Sequence, residues 1–168
     1  MKVEIINQPY SGEYQEKIYD IESVWNSKFW SWIKMTNKDL EIVGQFRGSS
    51  KEVKCSDPLN EIIVLTSDFI YRLEGNNFEI IEAERQPQYH DLEVSPNGDF
   101  ILHDYYNIYR MNGEFSKMIN IEGPVQMDDI KFIKWENNKL YFEFEEIGNW
   151  EEKRLMYLDT STWKIQQL

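Results

Sequence analysis

Phe69-Ile70-Tyr71-Arg72-Leu73-Glu74-Gly75 comes back as Asn107-Ile108-Tyr109-Arg110-Met111-Asn112-Gly113, in the same register and with the same closing glycine. The spacing, from position 69 to position 107, is 38 residues. One step back by that spacing falls on Ser31-Trp32-Ile33-Lys34-Met35-Thr36-Asn37, which keeps the apolar, apolar, basic, apolar order and replaces the glycine with asparagine. A step forward reaches Met156-Tyr157-Leu158-Asp159 at a larger offset, because Glu145 to Glu152 reads as an insertion. Four units result. A unit of this length is one supersecondary element that cannot bury its apolar face alone, so the copies must pack on one another.

Within the units the pattern is that of short strands. The third is the clearest: Asp91 to Val94, Phe100 to Leu102, Asn107 to Met111 and Phe115 to Ile119 are separated by Ser95-Pro96-Asn97-Gly98, Asp104-Tyr105-Tyr106 and Asn112-Gly113. Asn-Gly pairs accept the positive backbone angles of tight hairpin turns. The second unit has strands at Glu61 to Thr66, Phe69 to Leu73 and Phe78 to Ile81, and its run Ile62-Ile63-Val64-Leu65 suits a strand covered on both faces. In Glu74-Gly75-Asn76-Asn77 the second unit has the residues of a left-handed turn. The fourth unit offers Ile130 to Trp135, Lys139 to Glu145, Arg154 to Leu158 and Trp163 to Leu168, with Leu140, Phe142 and Phe144 on one face. In the first unit, strands at Gln15 to Tyr19, Ser23 to Asn26, Phe29 to Met35 and Leu40 to Gln45 compete with a helix through Tyr14 to Trp25. The expectation is one all-β domain over residues 1–168, with antiparallel repeats of about 38 residues at about 13–46, 47–84, 85–122 and 123–168 and a separate N-terminal strand at 2–7.

Val94-Ser95-Pro96-Asn97-Gly98-Asp99-Phe100-Ile101-Leu102 is similar to the inner hairpin of a WD40-like or quinoprotein-like propeller blade, and Tyr157-Leu158-Asp159-Thr160-Ser161-Thr162-Trp163-Lys164-Ile165 to the outer one. The resemblance covers roughly the last 120 residues and lacks the Trp-Asp and Gly-His pairs of WD40 repeats, so it implies a propeller-like geometry and no family activity. A β-sandwich of the same hairpins is the alternative. In a closed ring the strand at 2–7 would pair with the last unit.

Composition narrows the function. The chain has 30 acidic and 18 basic residues in 168, a formal charge of -12, which repels nucleic-acid phosphates and anionic membranes and attracts a cationic protein. One cysteine, Cys55, and two histidines in different units, His90 and His103, make no metal-ligand spacing, and no phosphate loop, serine elbow or calcium loop occurs. Neither a cofactor nor catalysis is expected. The first residues hold no apolar run long enough for a signal peptide, and no segment is apolar enough for a membrane helix, so the chain reads as cytoplasmic.

In a blade the hairpin loops emerge on two opposite faces. Charge does not separate the two sets, but aromatics do: Phe29, Trp30, Phe69, Tyr89, Tyr105, Tyr106 and Trp150 all belong to one of them. Aromatics supply anchor area and carboxylates steer a basic partner, so the candidate partner-binding residues are Asp104, Tyr105, Tyr106, Asp128, Asp129, Glu145, Glu146, Trp150, Glu151 and Glu152. By type rather than by motif, the chain resembles the small acidic immunity proteins of bacteria, as in contact-dependent inhibition. That resemblance implies a basic partner, a cognate nuclease toxin. The alternative is a scaffold or receptor that binds a peptide or small ligand by aromatic stacking, and a hydrolase using paired carboxylates ranks third.

Overall fold

The computed structural model describes residues 1–85 and 87–168; the side chains of Trp150 and Glu151 lie outside the described residues. Apart from a 3-10 turn at Phe115–Lys117, the regular structure is all strand, in four four-stranded sheets. The first contains β1 (Lys2–Ile6), β2 (Glu16–Tyr19), β3 (Trp30–Asn37) and β4 (Leu40–Arg47), in the order β1-β3-β4-β2. Here β2 runs parallel to β4 and the other pairs are antiparallel. The other three are antiparallel meanders. They are β5 (Ser50–Ser56), β6 (Glu61–Thr66), β7 (Phe69–Glu74) and β8 (Ile80–Arg85); β9 (Asp91–Val94), β10 (Phe100–His103), β11 (Ile108–Met111) and β12 (Ile119–Ile121); and β13 (Met127–Glu136), β14 (Lys139–Glu146), β15 (Asn149–Asp159) and β16 (Lys164–Gln167).

The chain divides into two compact units, Met1–Gln88 and Tyr89–Leu168, each of two sheets. In the first, Ile33 and Met35 of β3 and Phe46 of β4 share a core with Ile62 and Val64 of β6 and Tyr71 of β7. In the second, Ile101 of β10 and Ile108 of β11 share one with Phe132 of β13, Phe142 of β14 and Leu158 of β15. The period-2 alternation puts these side chains on one face. The run Ile62 to Leu65 is fully buried at every position, as an uninterrupted apolar strand requires.

The 38-residue repeat has a physical counterpart. In all four copies the repeated stretch becomes a central strand: β3, β7, β11 and β15. Arg72 holds Glu61 through two bonds, 2.8 and 2.5 Å, and at the same repeat positions Arg110 holds Asp99 at 3.1 and 3.2 Å. In the fourth sheet the matching place carries Lys139, 4.2 Å from the Tyr157 ring. The turns repeat as well. The Gly75 N–H donates to the Asn60 carbonyl at 2.8 Å and the Thr160 N–H to the Asn138 carbonyl at 2.9 Å, while Phe78 and Trp163 follow with φ of 57° and 54°.

Several expectations are corrected. The N-terminal strand belongs to the first sheet, as its edge strand beside β3. No helix spans 14–25: 16–19 is strand, and Ser23 to Asn26 forms a turn closed by the Asn26 N–H on the Ser23 carbonyl at 3.2 Å. Phe115 opens a 3-10 turn with its ring buried, and β12 begins only at Ile119. β5, whose Ser-Lys-Glu-Val-Lys-Cys-Ser composition has little strand propensity, forms because β6 supplies its hydrogen bonds. Gly75 does not turn left-handed: a Cβ there would lie 2.5 Å from the Met1 sulfur and 2.6 Å from Asn60, so glycine serves close packing. Nor does Gly113, whereas Gly98 does, with φ of 93°.

Candidate partner-binding face

The β10–β11 turn is built around Asp104. Its Oδ1 accepts the backbone N–H groups of Tyr106 and Asn107, both at 2.7 Å, and its Oδ2 accepts the Tyr109 hydroxyl at 2.7 Å. This is the local capping that aspartate performs in turns. Asp104 is 8% exposed, and both of its carboxylate oxygens bond within the turn. Partial burial, together with the Asp104 carboxylate beside it, pushes the Tyr109 hydroxyl up to about 12. What the turn presents is Tyr105 and Tyr106, 52% and 54% exposed, with ring centres 6.3 Å apart. Tyr105 lies against His90, ring centres 4.1 Å apart. Below, His103 is buried, its Nδ1–H donates to the Asp104 carbonyl at 2.8 Å, and its ring stands edge-on to Phe132. Burial holds the His103 imidazole below the ordinary histidine range.

Two more segments reach this turn. The Ile147 N–H donates to the Gln126 carbonyl at 3.1 Å, which ties the β14–β15 turn to the segment before β13. Together with Tyr106 they wall an open groove of about 400 Å³ that Glu122 and Asn120 also line. The stretch Glu145 to Glu152, expected as an inserted loop, is a hairpin end: β14 runs to Glu146, β15 starts at Asn149, and Gly148 turns with φ of 91°. Its extra length is a bulge in β15: Asn149 pairs with Glu146 and Lys153 with Glu145, so the three residues between them, 150–152, have no register partner on β14.

Pairing also redistributes the charge. Glu146 meets Arg154 at 2.5 Å, and Lys153 lies 3.4 Å from Asp129 and 3.3 Å from Glu143. Asp129 is left-handed, φ 47°, at a bulge in β13, and its N–H is held by the Asp128 carboxylate at 2.8 Å. Asp128, Glu145 and Glu152 make no ion pair among the described residues, and these carboxylates carry the acidity of the face. Glu151 and Trp150 were expected here too; their side chains lie outside the described residues. Glu122, Gln126 and Ile147 were missing from the expected set. The signal was present, since all three lie in or beside loops assigned to the aromatic-bearing face.

In the first unit the loops expected together do meet. The Ser27 N–H donates to Asp68 at 2.7 Å, the Gly48 N–H to the Phe29 carbonyl at 2.9 Å, and the Ser67 N–H to the Ser49 carbonyl at 2.8 Å. Their aromatics differ in role: Phe69 is buried, Phe29 is 65% exposed, and Trp30 stacks under the Arg47 guanidinium at 3.7 Å. In the second unit Tyr89 is buried, so it presents no anchor.

Among the described residues no group of three or more His, Cys, Asp or Glu is placed to hold a metal ion. Burial pushes the Cys55 thiol up, which keeps it protonated and weakly nucleophilic. No helix among the described residues is long and apolar enough to cross a membrane. No protein-family model matches the chain, and no curated protein or solved structure matches it.

Proposed function

We propose that the protein is a non-enzymatic inhibitor that acts in the cytoplasm by binding a basic protein, of the kind that immunity proteins provide against nuclease toxins. One observation carries the reading: two half-exposed tyrosines stand side by side on a turn whose backbone is fixed by a buried aspartate, and Tyr106 shares a groove with Glu122, which is in no ion pair among the described residues. Rigid aromatic anchors lose little entropy on binding and fill a partner's pockets, while carboxylates steer a cationic surface toward them. A nuclease site is cationic because it holds phosphates, and a chain of charge -12 is drawn to it. The blade-like hairpin sheets serve as support for the loops.

The test is capture of partners from the native cell on the purified chain, washed at low and then high salt, with identification of what elutes. A single basic protein released by salt, whose activity the chain then blocks when the two are mixed, is the expected result. Recovery of no basic protein would exclude the inhibitor reading and move the weight to a stacking-driven small-ligand role, which salt barely affects.

A further inference from the structure

The groove beside Tyr106 has a chemistry of its own, and its reading rests on the protein-binding role above. Tyr106, Val125, Met127 and Ile147 give it apolar walls, and Glu122 and Asn120 give it polar ones. Among the described residues no cationic side chain lines it. Glu122 is exposed and in no ion pair among the described residues, in contrast to Asp129 and Glu146, which Lys153 and Arg154 occupy. The amides are already oriented. Asn107 Nδ2 donates to Asp104 at 3.5 Å, and Asn120 Nδ2 donates to Asn107 Oδ1 at 3.4 Å. That chain takes one N–H of each amide and turns the Asn120 side-chain oxygen away from Asn107, as an acceptor.

An aromatic face, a carboxylate and a spare carbonyl, with no positive charge, repel an anion and give a purely apolar guest no partner for Glu122. A cation with an apolar stem satisfies all of them. Of the two cationic side chains, arginine has the planar guanidinium that stacks on a ring while its N–H fork meets a carboxylate. The volume, about 400 Å³, is at the low end for ligand pockets and suits one side chain with a little of its backbone. We propose that this groove receives a single arginine side chain of the partner protein, its guanidinium stacked on Tyr106 and hydrogen-bonded to Glu122.

The probe is a capped Gly-Arg-Gly tripeptide titrated into the full chain, with backbone amide shifts read by NMR, and with capped Gly-Lys-Gly and the uncharged isostere Gly-citrulline-Gly as comparisons. Saturable shifts at Asn107, Gln126 and Ile147 are expected, with both comparison peptides about tenfold weaker or more, and with Glu122→Gln weakening the arginine peptide about tenfold. Glu122 is exposed, so this variant should keep the thermal unfolding of the parent. Tyr106→Leu should weaken binding as well. Absence of saturable shifts, an equal response to citrulline, or a response indifferent to Glu122→Gln would overturn the assignment. The two readings fail separately: a chain that captures a basic protein but ignores the arginine peptide loses only the arginine, whereas capture of no basic protein removes the inhibitor role itself.

Discussion

At the scale of single residues, Asp104 shows how a carboxylate can be structural in a surface that looks functional. It accepts two backbone N–H groups and a tyrosine hydroxyl. Asp104→Ala should therefore cost about 2 kcal/mol in urea unfolding, because it strands donors that are partly buried, and Asp104→Asn, which keeps one acceptor for the backbone, about half of that. Tyr109 gives a pH signature. Its folded value, about 12, lies above its unfolded value, so the stability it adds is complete below pH 10 and is lost as pH rises toward 12. Tyr109→Phe should flatten the unfolding midpoint over that window. His103 acts at the other end. Its folded value lies below 6.5, so the unfolded chain takes the proton first; its contribution is present above pH 6.5 and is lost as pH falls below that. A His103→Gln chain should show a shallower fall in Tm between pH 7 and 5. Asp104 was legible in the sequence as a turn residue, but its burial was not, since that depends on Tyr109 folding back across the turn.

Elements show how the repeat is enforced. The Arg72–Glu61 pair is bidentate with both side chains 12% exposed, while Arg110–Asp99 reaches a single oxygen and Arg110 is 28% exposed. Glu61→Ala removes two charge-assisted hydrogen bonds and leaves Arg72 only Glu82, at 3.6 Å, so it should cost about 2 kcal/mol and Asp99→Ala clearly less, measured as the loss of unfolding free energy in urea. Gly44 is the tight point of the first sheet. A Cβ there would lie 2.5 Å from the Phe46 ring, 2.8 Å from Tyr19 and 2.9 Å from Met35, because the Tyr19 and Phe46 rings stack 4.3 Å apart across β4. Gly44→Ala should cost about 2 to 3 kcal/mol by the same measurement. The β6–β7, β9–β10, β10–β11, β13–β14 and β14–β15 hairpins were readable because each pairs strands adjacent in sequence, whereas β5 carried too little strand propensity to be read. β2 was not readable as a parallel neighbour of β4, since that contact joins segments separated by β3.

For the whole molecule the governing quantity is charge. With -12 spread over 168 residues, association with a cationic partner should be fast at low ionic strength and slow by at least about tenfold between ~0.01 and ~0.15 M salt, read by stopped-flow fluorescence. Dissociation should change much less, because it is set by the aromatic contacts. An association rate indifferent to salt would separate the acidic composition from the binding role.

The sequence by itself determined an all-β chain of repeated hairpins and the central strand of each sheet, because these follow from local alternation, turn residues and internal spacing. Only the tertiary structure decided which loop residues are available. It buried Asp104, Tyr89 and Phe69, paired Glu146 and Asp129 with cations, and brought Glu122 and Ile147 to Tyr106. Burial, ion pairing and a groove wall are properties of neighbours in space, which repeat spacing alone does not specify.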